Sequence, residues 1–185
     1  KNARIGKLDK AKSSFLNAIE LNNKNNQAYI NLSNIYILQN EFNKSIILLL
    51  NYLENIFDGD IANQAAKICF KFKLRKDFNK LIKITKLKNN FINKEKKYLF
   101  FINAQFYEVE QNFNEAKQSY KNSILCDISY FDAYINLLNL YERTNDILNL
   151  KLLIESAFIN FKDKEKKNIL NFFDSLRLNR EHKYK

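Results

Sequence analysis

Three kinds of side chain in this 185-residue chain could do chemistry, and their spacing decides which chemistry survives. The only histidine, His182, stands near the C-terminal end, so neither a His-based triad nor a His-rich metal site can be assembled. Cys69 and Cys126 share no metal or redox spacing. Each falls at an apolar or small position of a helical pattern, and both read as free buried thiols in a reducing compartment. Glu108, Glu110 and Glu115 lie on helix faces near a loop, where carboxylates solubilise. With two glycines, Gly6 and Gly59, no phosphate-cradling loop can form. Catalysis, metal and cofactors are therefore not expected of this stretch.

Amides and ammonium groups remain. Asn34, Gln105 and Asn139 sit in helical stretches, and a primary amide can donate to a peptide carbonyl and accept from its N–H, which suits an extended backbone. The lysines cluster. Residues 71–97 carry 11 basic and 2 acidic side chains, against 8 and 6 in residues 1–70 and 12 and 12 in residues 98–185. This short stretch therefore holds +9 of the net +11. Lys76, Lys80 and Lys83 fall at helical spacing, and Lys73, Arg75, Lys86 and Lys88 cluster near the loops. Such a patch could attract RNA, an acidic protein or anionic lipid. The plainer reading is a solvated convex face in a Lys-rich chain, and no aromatic residues are expected to alternate with the lysines on an exposed face as stacking platforms would.

The elements that position these groups are helices. Hydrophobic residues make up 46% of the chain, which argues against disorder, and the absence of Pro with only two Gly argues against a turn-rich β fold. The abundance of Lys, Asn, Ile, Phe and Tyr also fits an AT-rich genome, which discounts mere Lys or Asn content as a functional signal. No apolar run is long enough to span a membrane, and Lys1 to Lys12 lack the core of a signal peptide, so a cytoplasmic setting is expected. The chain has no Met, even at position 1, and reads as a piece of something longer.

The clearest stretch runs from Asn26 to Asn55, two amphipathic helical patterns separated by Gln39-Asn40. Adding 34 to Ala11, Phe15 and Ala18 lands on Ser45, Leu49 and Tyr52. Adding 34 to Phe100, Ala104 and Tyr107 lands on Tyr134, Leu138 and Tyr141. Gly6 lands on Asn40 and is expected to close an inner loop, since Gly and Asn best tolerate the left-handed backbone. A segment around 62–95 matches less well, with Thr85 and Lys88 at apolar places. Asp163 is a plausible N-cap for one more helix, striped by Ile169, Leu170, Phe172, Phe173 and Leu176.

These units resemble tetratricopeptide repeats, a 34-residue helix–turn–helix with large and small residues at fixed places. With starts at Asn26, Ala62, Lys97 and Phe131, the eleventh place is Tyr36, Phe72, Tyr107 and Tyr141, and the eighth holds Ser33, Cys69, Ala104 and Leu138. The resemblance implies an all-α, right-handed superhelical α-solenoid of antiparallel helix pairs. One array covers 1–185: a partial repeat (1–25), repeats at 26–59, 62–95, 97–130 and 131–161, a closing helix (162–179) and a tail (180–185). Phe42 and Tyr107 are expected in the core, each costing about 3–5 kcal/mol if cut to Ala.

The resemblance also implies a function, a scaffold binding a peptide or protein in a concave groove lined by the first helix of each pair. The second, fifth, ninth, twelfth and thirteenth places face the ligand. They give Gln27, Ile30, Asn34, Ile37 and Leu38; Asn63, Ala66, Phe70, Lys73 and Leu74; Tyr98, Phe101, Gln105, Glu108 and Val109; and Asp132, Ile135, Asn139, Glu142 and Arg143. No basic residue stands at a fifth or ninth place, so the family's clamp for a terminal carboxylate is expected to be absent. Two further readings stay open: an accessory array of a larger, transferase-type enzyme, and nucleic-acid or acidic-partner binding through 71–97. Oligomeric state is not legible.

Overall fold

The computed structural model describes residues 2–87, 93–169 and 171, with side chains described for 6–85, 95–169 and 171. Every regular element among them is a helix. The chain divides into two compact units, Lys1–Glu95 and Lys96–Lys185.

The first unit holds α1 (Asn2–Leu21), α2 (Asn26–Leu38), α3 (Phe42–Asn55), α4 (Gly59–Lys71) and α5 (Arg75–Leu87). Consecutive helices pack as neighbours, and α2 also meets α4 while α3 meets α5. This is a stack of hairpins in which first helices form one layer and second helices the other. Small residues make the close approach. Ser33 and Ser45 are fully buried, and the Ser45 hydroxyl donates to the Ser33 carbonyl at 3.0 Å. The second unit holds α6 (Asn93–Val109), which starts just ahead of the boundary, then α7 (Phe113–Cys126), α8 (Phe131–Arg143) and α9 (Ile147–Asn160). A helical run over 163–169 follows. Ala104 and Ala116 are fully buried, and the rings of Tyr120, Tyr134 and Tyr141 are buried with them.

The turn inside each hairpin carries one residue in the left-handed region: Asn40 (φ 61°), Lys73 (φ 57°), Gln111 (φ 60°) and Asn145 (φ 54°). The next amide then reaches back five residues, from Glu41 to Tyr36, Leu74 to Cys69, Asn112 to Tyr107 and Asp146 to Tyr141, at 2.7–2.8 Å. These bonds satisfy carbonyls that the helix end orphans, which offsets the strain of Lys and Gln in a conformation they rarely adopt. Gly and Asn are thus not required at such an end, since Lys73 and Gln111 hold two of these four turns. The expectation that Gly6 closes an inner loop is corrected, because it lies inside α1 with nothing within 4 Å of where a Cβ would stand.

The same turns reset one register. The left-handed residue falls 14 places after Asn26, Lys97 and Phe131, and Lys73 falls 14 places after Gly59. The start expected at Ala62 therefore moves to Gly59, the first residue of α4. The shift accounts for the poor match. Ala62, Ala66 and Cys69 now occupy the fourth, eighth and eleventh places, and all three are fully buried. Thr85 is buried at an apolar place because its hydroxyl is satisfied, donating to the Leu81 and Ile82 carbonyls. Phe42 and Tyr107, expected in the core, are only half-buried. The Phe42 ring instead stacks on Phe72 at 3.7 Å.

Among the described residues, Asn25 caps α2 by accepting from the Ala28 amide and Asp58 caps α4 by accepting from the Ile61 amide. Asp163 does not cap the last helical run. The Glu165 carboxylate accepts from the Lys162 amide there, and Asp163 stands in solvent. Leu170, Phe172, Phe173, Leu176 and the expected tail lie outside the described residues, as does Lys88. Cys69 is buried, Cys126 is half-buried, and both thiols are free. Burial pushes the Cys69 thiol up to about 12, so it stays protonated and inert.

Candidate binding surface

In the first unit, α2 points Gln27, Asn34 and Leu38 to solvent, Leu38 at 57% exposure, and leaves Ile30 and Ile37 half-buried between them. The opposite side of α2 is held in the core by Ala28, Leu32 and Ile35. Gln27 is engaged along the helix, donating from Nε2 to Asn31 at 3.1 Å. Asn34 reaches the neighbouring first helix, where its Oδ1 accepts from Gln64 Nε2 of α4 at 2.9 Å.

The register shift reassigns α4. Its second, fifth, ninth, twelfth and thirteenth places are Asp60, Asn63, Lys67, Phe70 and Lys71. Ala66, expected to face a ligand, is a fully buried packing residue. Asn63 and Phe70 remain half-buried on the groove side, and Lys73 is exposed in the turn after the helix, followed by half-buried Leu74. Asn63 Oδ1 is buried without a hydrogen-bond partner. Lys67 now occupies a ninth place, so one basic residue stands where none was expected; the fifth places, Ile30 and Asn63, remain neutral.

The second unit answers differently. Phe101 is withdrawn from the surface at 8% exposure, packed edge-on against Tyr120 and Tyr130, so it contributes core rather than a ligand contact. Tyr98 is half-buried beside it. Glu108 is occupied twice: the buried Tyr120 hydroxyl donates to its Oε1, and Arg143 Nη1 of α8 donates to its Oε2 at 2.8 Å. Burial and the neighbouring Glu108 carboxylate push the Tyr120 hydroxyl far above its ordinary value. Gln105, Ile135, Asn139 and Glu142 are half-buried, and Asp132 and Val109 are exposed. Asn34 thus belongs to one unit, and Gln105 with Asn139 to the other.

Of the basic stretch, Lys73, Lys76, Lys80 and Lys83 are exposed, while Arg75 is half-buried with its guanidinium 5.9 Å from the Phe78 ring. The side chains of Lys86 and Lys88 lie outside the described residues.

Sequence reading missed a recurring clamp between hairpins. Lys12 lies over the Tyr36 ring at 4.8 Å and pairs with Glu41 at 4.0 Å. Lys117 lies over the Tyr141 ring at 5.3 Å and pairs with Asp146 at 3.0 Å. Each member of the second set follows its counterpart by 105 residues, an offset that would have exposed the motif. Where α3 meets α4, the same places are Ile46, Cys69 and Leu74, and the clamp is apolar. Two cavities of about 300 Å³ also went unforeseen. One is lined by Tyr29, Tyr52, Asn51 and Asn55 with their neighbours; the other lies among α7, α8 and α9, lined chiefly by Ile124, Leu125, Leu137, Leu152 and Leu153.

No group of His, Cys, Asp and Glu among the described residues could hold a metal ion, and no described helix is long and apolar enough to cross a membrane.

No family model and no curated protein sequence matches the chain. Similarity appears at the level of structure. The chain is similar to YrrB, a TPR protein with an unusual peptide-binding site, at 15% identity and a TM-score of 0.55, covering 91% of this chain and 86% of that one. It is similar to MamA at 14% identity and a TM-score of 0.60, covering 91% of this chain and 95% of that one. At these identities the likeness carries the fold: helix-pair repeats stacked as in tetratricopeptide-repeat proteins.

Proposed function

From the fold of a tetratricopeptide-repeat array, we propose that this chain is a non-catalytic scaffold. It binds a peptide or protein segment on the α2–α4 face of its first unit. The observation that carries the reading is the Asn34–Gln64 amide pair. It bridges two consecutive first helices on an outward face, beside the half-buried Ile30 and Ile37. One hydrogen bond uses one donor and one acceptor of the pair, and two primary amides offer more of both. An extended backbone laid along α2 can take the remainder while its side chains cover the isoleucines. In the second unit the first helices are tied instead by an ion pair, in which Glu108 and Arg143 satisfy each other. The structural neighbour YrrB, described by its peptide-binding site, supports a peptide as the ligand class.

The test is selection from a displayed random dodecapeptide library on the purified chain. Enriched peptides are expected to lose about 5–10-fold in affinity on Asn34→Ala, the worth of about one hydrogen bond. Leu38→Asp should weaken them further, with the thermal midpoint held. Peptides that bind the Asn34→Ala, Leu38→Asp variant as tightly as the parent would remove this face from the account.

A further inference from the structure

The α2–α4 face leaves the chain's largest electrical feature unused. Lys71, Lys73, Lys76, Lys80 and Lys83 are all exposed on the α4–α5 hairpin. Inside α5 the fully buried Phe78 and Leu81, with Thr85, turn one side to the core, which sends Lys76, Lys80 and Lys83 to the opposite side. None of these five lysines forms an ion pair among the described residues, whereas Lys12, Lys44, Lys97 and Lys117 each find a carboxylate. A composition biased toward Lys would scatter charge along the chain. Here the residues outside 71–97 come to a net charge of only +2, with acids matching bases almost one for one. The imbalance is local.

We propose that the lysine stripe on α5 is a docking surface for a carboxylate-rich protein segment, separate from the α2–α4 face. Three features select that partner. The stripe from Lys76 to Lys83 covers eight residues of helix, whose seven steps span about 10 Å at about 1.5 Å per residue, with its charges about 6 and 4.5 Å apart along the axis. A partner helix with Asp or Glu at i, i+4 and i+7 matches it charge for charge, whereas a nucleic-acid duplex draws affinity from longer rows of phosphates. Among the described residues between Leu38 and Val109, the exposed large hydrophobic is Ile47 on α3, so the described side chains of α5, residues 75–85, present nothing to insert into a lipid surface. The one ring that interleaves with Lys76, Lys80 and Lys83 is Phe78, which is fully buried, so a single strand finds no base-stacking platform on the stripe. Exposed lysines act here by long-range attraction, which raises association rates and is screened by salt.

The experiment uses the full chain and three probes at 50 and 200 mM salt. They are a helical 20-residue peptide with Glu at i, i+4 and i+7, a 20-nucleotide uridine oligomer, and vesicles containing phosphatidylserine. The glutamate peptide is expected to bind most tightly and to weaken at the higher salt. The triple variant Lys76→Glu, Lys80→Glu, Lys83→Glu should lose at least 10-fold in affinity for it while keeping its helical content and thermal midpoint. That variant should gain binding to the same peptide with Lys in place of Glu. A preference for the oligomer or the vesicles overturns the proposal, as does a triple variant that binds the glutamate peptide unchanged. Asn34→Ala should leave this binding intact, so failure of the α2–α4 reading and failure of the stripe are told apart. If the triple variant misfolds, single Lys80→Glu and Lys80→Gln variants give the same ordering at smaller size.

Discussion

The two units build the same hairpin frame and finish it with different chemistry. In the first, consecutive first helices are joined by an amide pair, Asn34 with Gln64, on an outward face. In the second, the equivalent layer is joined by the Glu108–Arg143 ion pair, anchored from beneath by the Tyr120 hydroxyl. An amide pair keeps donors and acceptors to spare. An ion pair whose carboxylate already accepts from two donors keeps few. Both units therefore use the same kinds of packing residue, and the bridges between their first helices differ in how many hydrogen-bonding groups they leave over, which is why we propose the first unit as the ligand face.

The largest effects should fall on the shared frame. Phe78→Ala in the first unit and Tyr134→Ala in the second each remove a fully buried ring and should each cost about 3–5 kcal/mol in denaturant unfolding. Phe42→Ala, half-buried and stacked on Phe72, should cost less, about 1–2 kcal/mol. Equal losses at Phe42 and Phe78 would contradict the placement of Phe42 at the edge of the core.

The bridges should separate next. Glu108→Ala strands the buried Tyr120 hydroxyl and should cost about 1–3 kcal/mol, whereas Gln64→Ala should stay within about 0.5 kcal/mol. Similar costs would erase the contrast between the units.

How much of this was legible beforehand depends on the residue. The alternation of Ser33 with Tyr36, and of Ala104 with Tyr107, exposed the helix pairs because packing repeats in sequence wherever it repeats in space. The second hairpin hid its register. Its small residues, Ala62, Ala65 and Ala66, crowd one short stretch, and its turn uses Lys73 where Gly or Asn would have marked the place. That three-residue slip misplaced Ala66 and concealed Lys67. Phe101 was misread because a residue's place in a repeat does not reveal which neighbouring ring, here Tyr120 or Tyr130, will cover it. The Asn34–Gln64 and Glu108–Arg143 bridges join residues about 30 and 35 positions apart and leave no local pattern.

Acid provides a finer probe of the second unit. Hydrogen bonds from Lys97 and Ser129 hold the Asp127 carboxyl down at about 2, below its ordinary 3.8. A depressed carboxylate stabilises the folded state above its unfolded value, and that contribution fades as pH falls from about 4 toward 2. Asp127→Asn should flatten the stability profile across this window. A slope unchanged by the substitution would refute the pairing.

Small effects belong to the recurring clamp as well. Lys12→Ala and Lys117→Ala should each cost about 0.5–1 kcal/mol, because a partly solvated ion pair and a ring contact each contribute little. Lys117, with its closer carboxylate, should cost the more.

The account's central claim is that ligand capacity lies on the first unit's α2–α4 face, and backbone amide NMR tests it most directly. A peptide enriched from the dodecapeptide library, titrated into isotope-labelled chain, should shift resonances clustered within 27–38 and 63–71 and leave those of α8 and α9 in place. Shifts confined to residues 113–160 would contradict it.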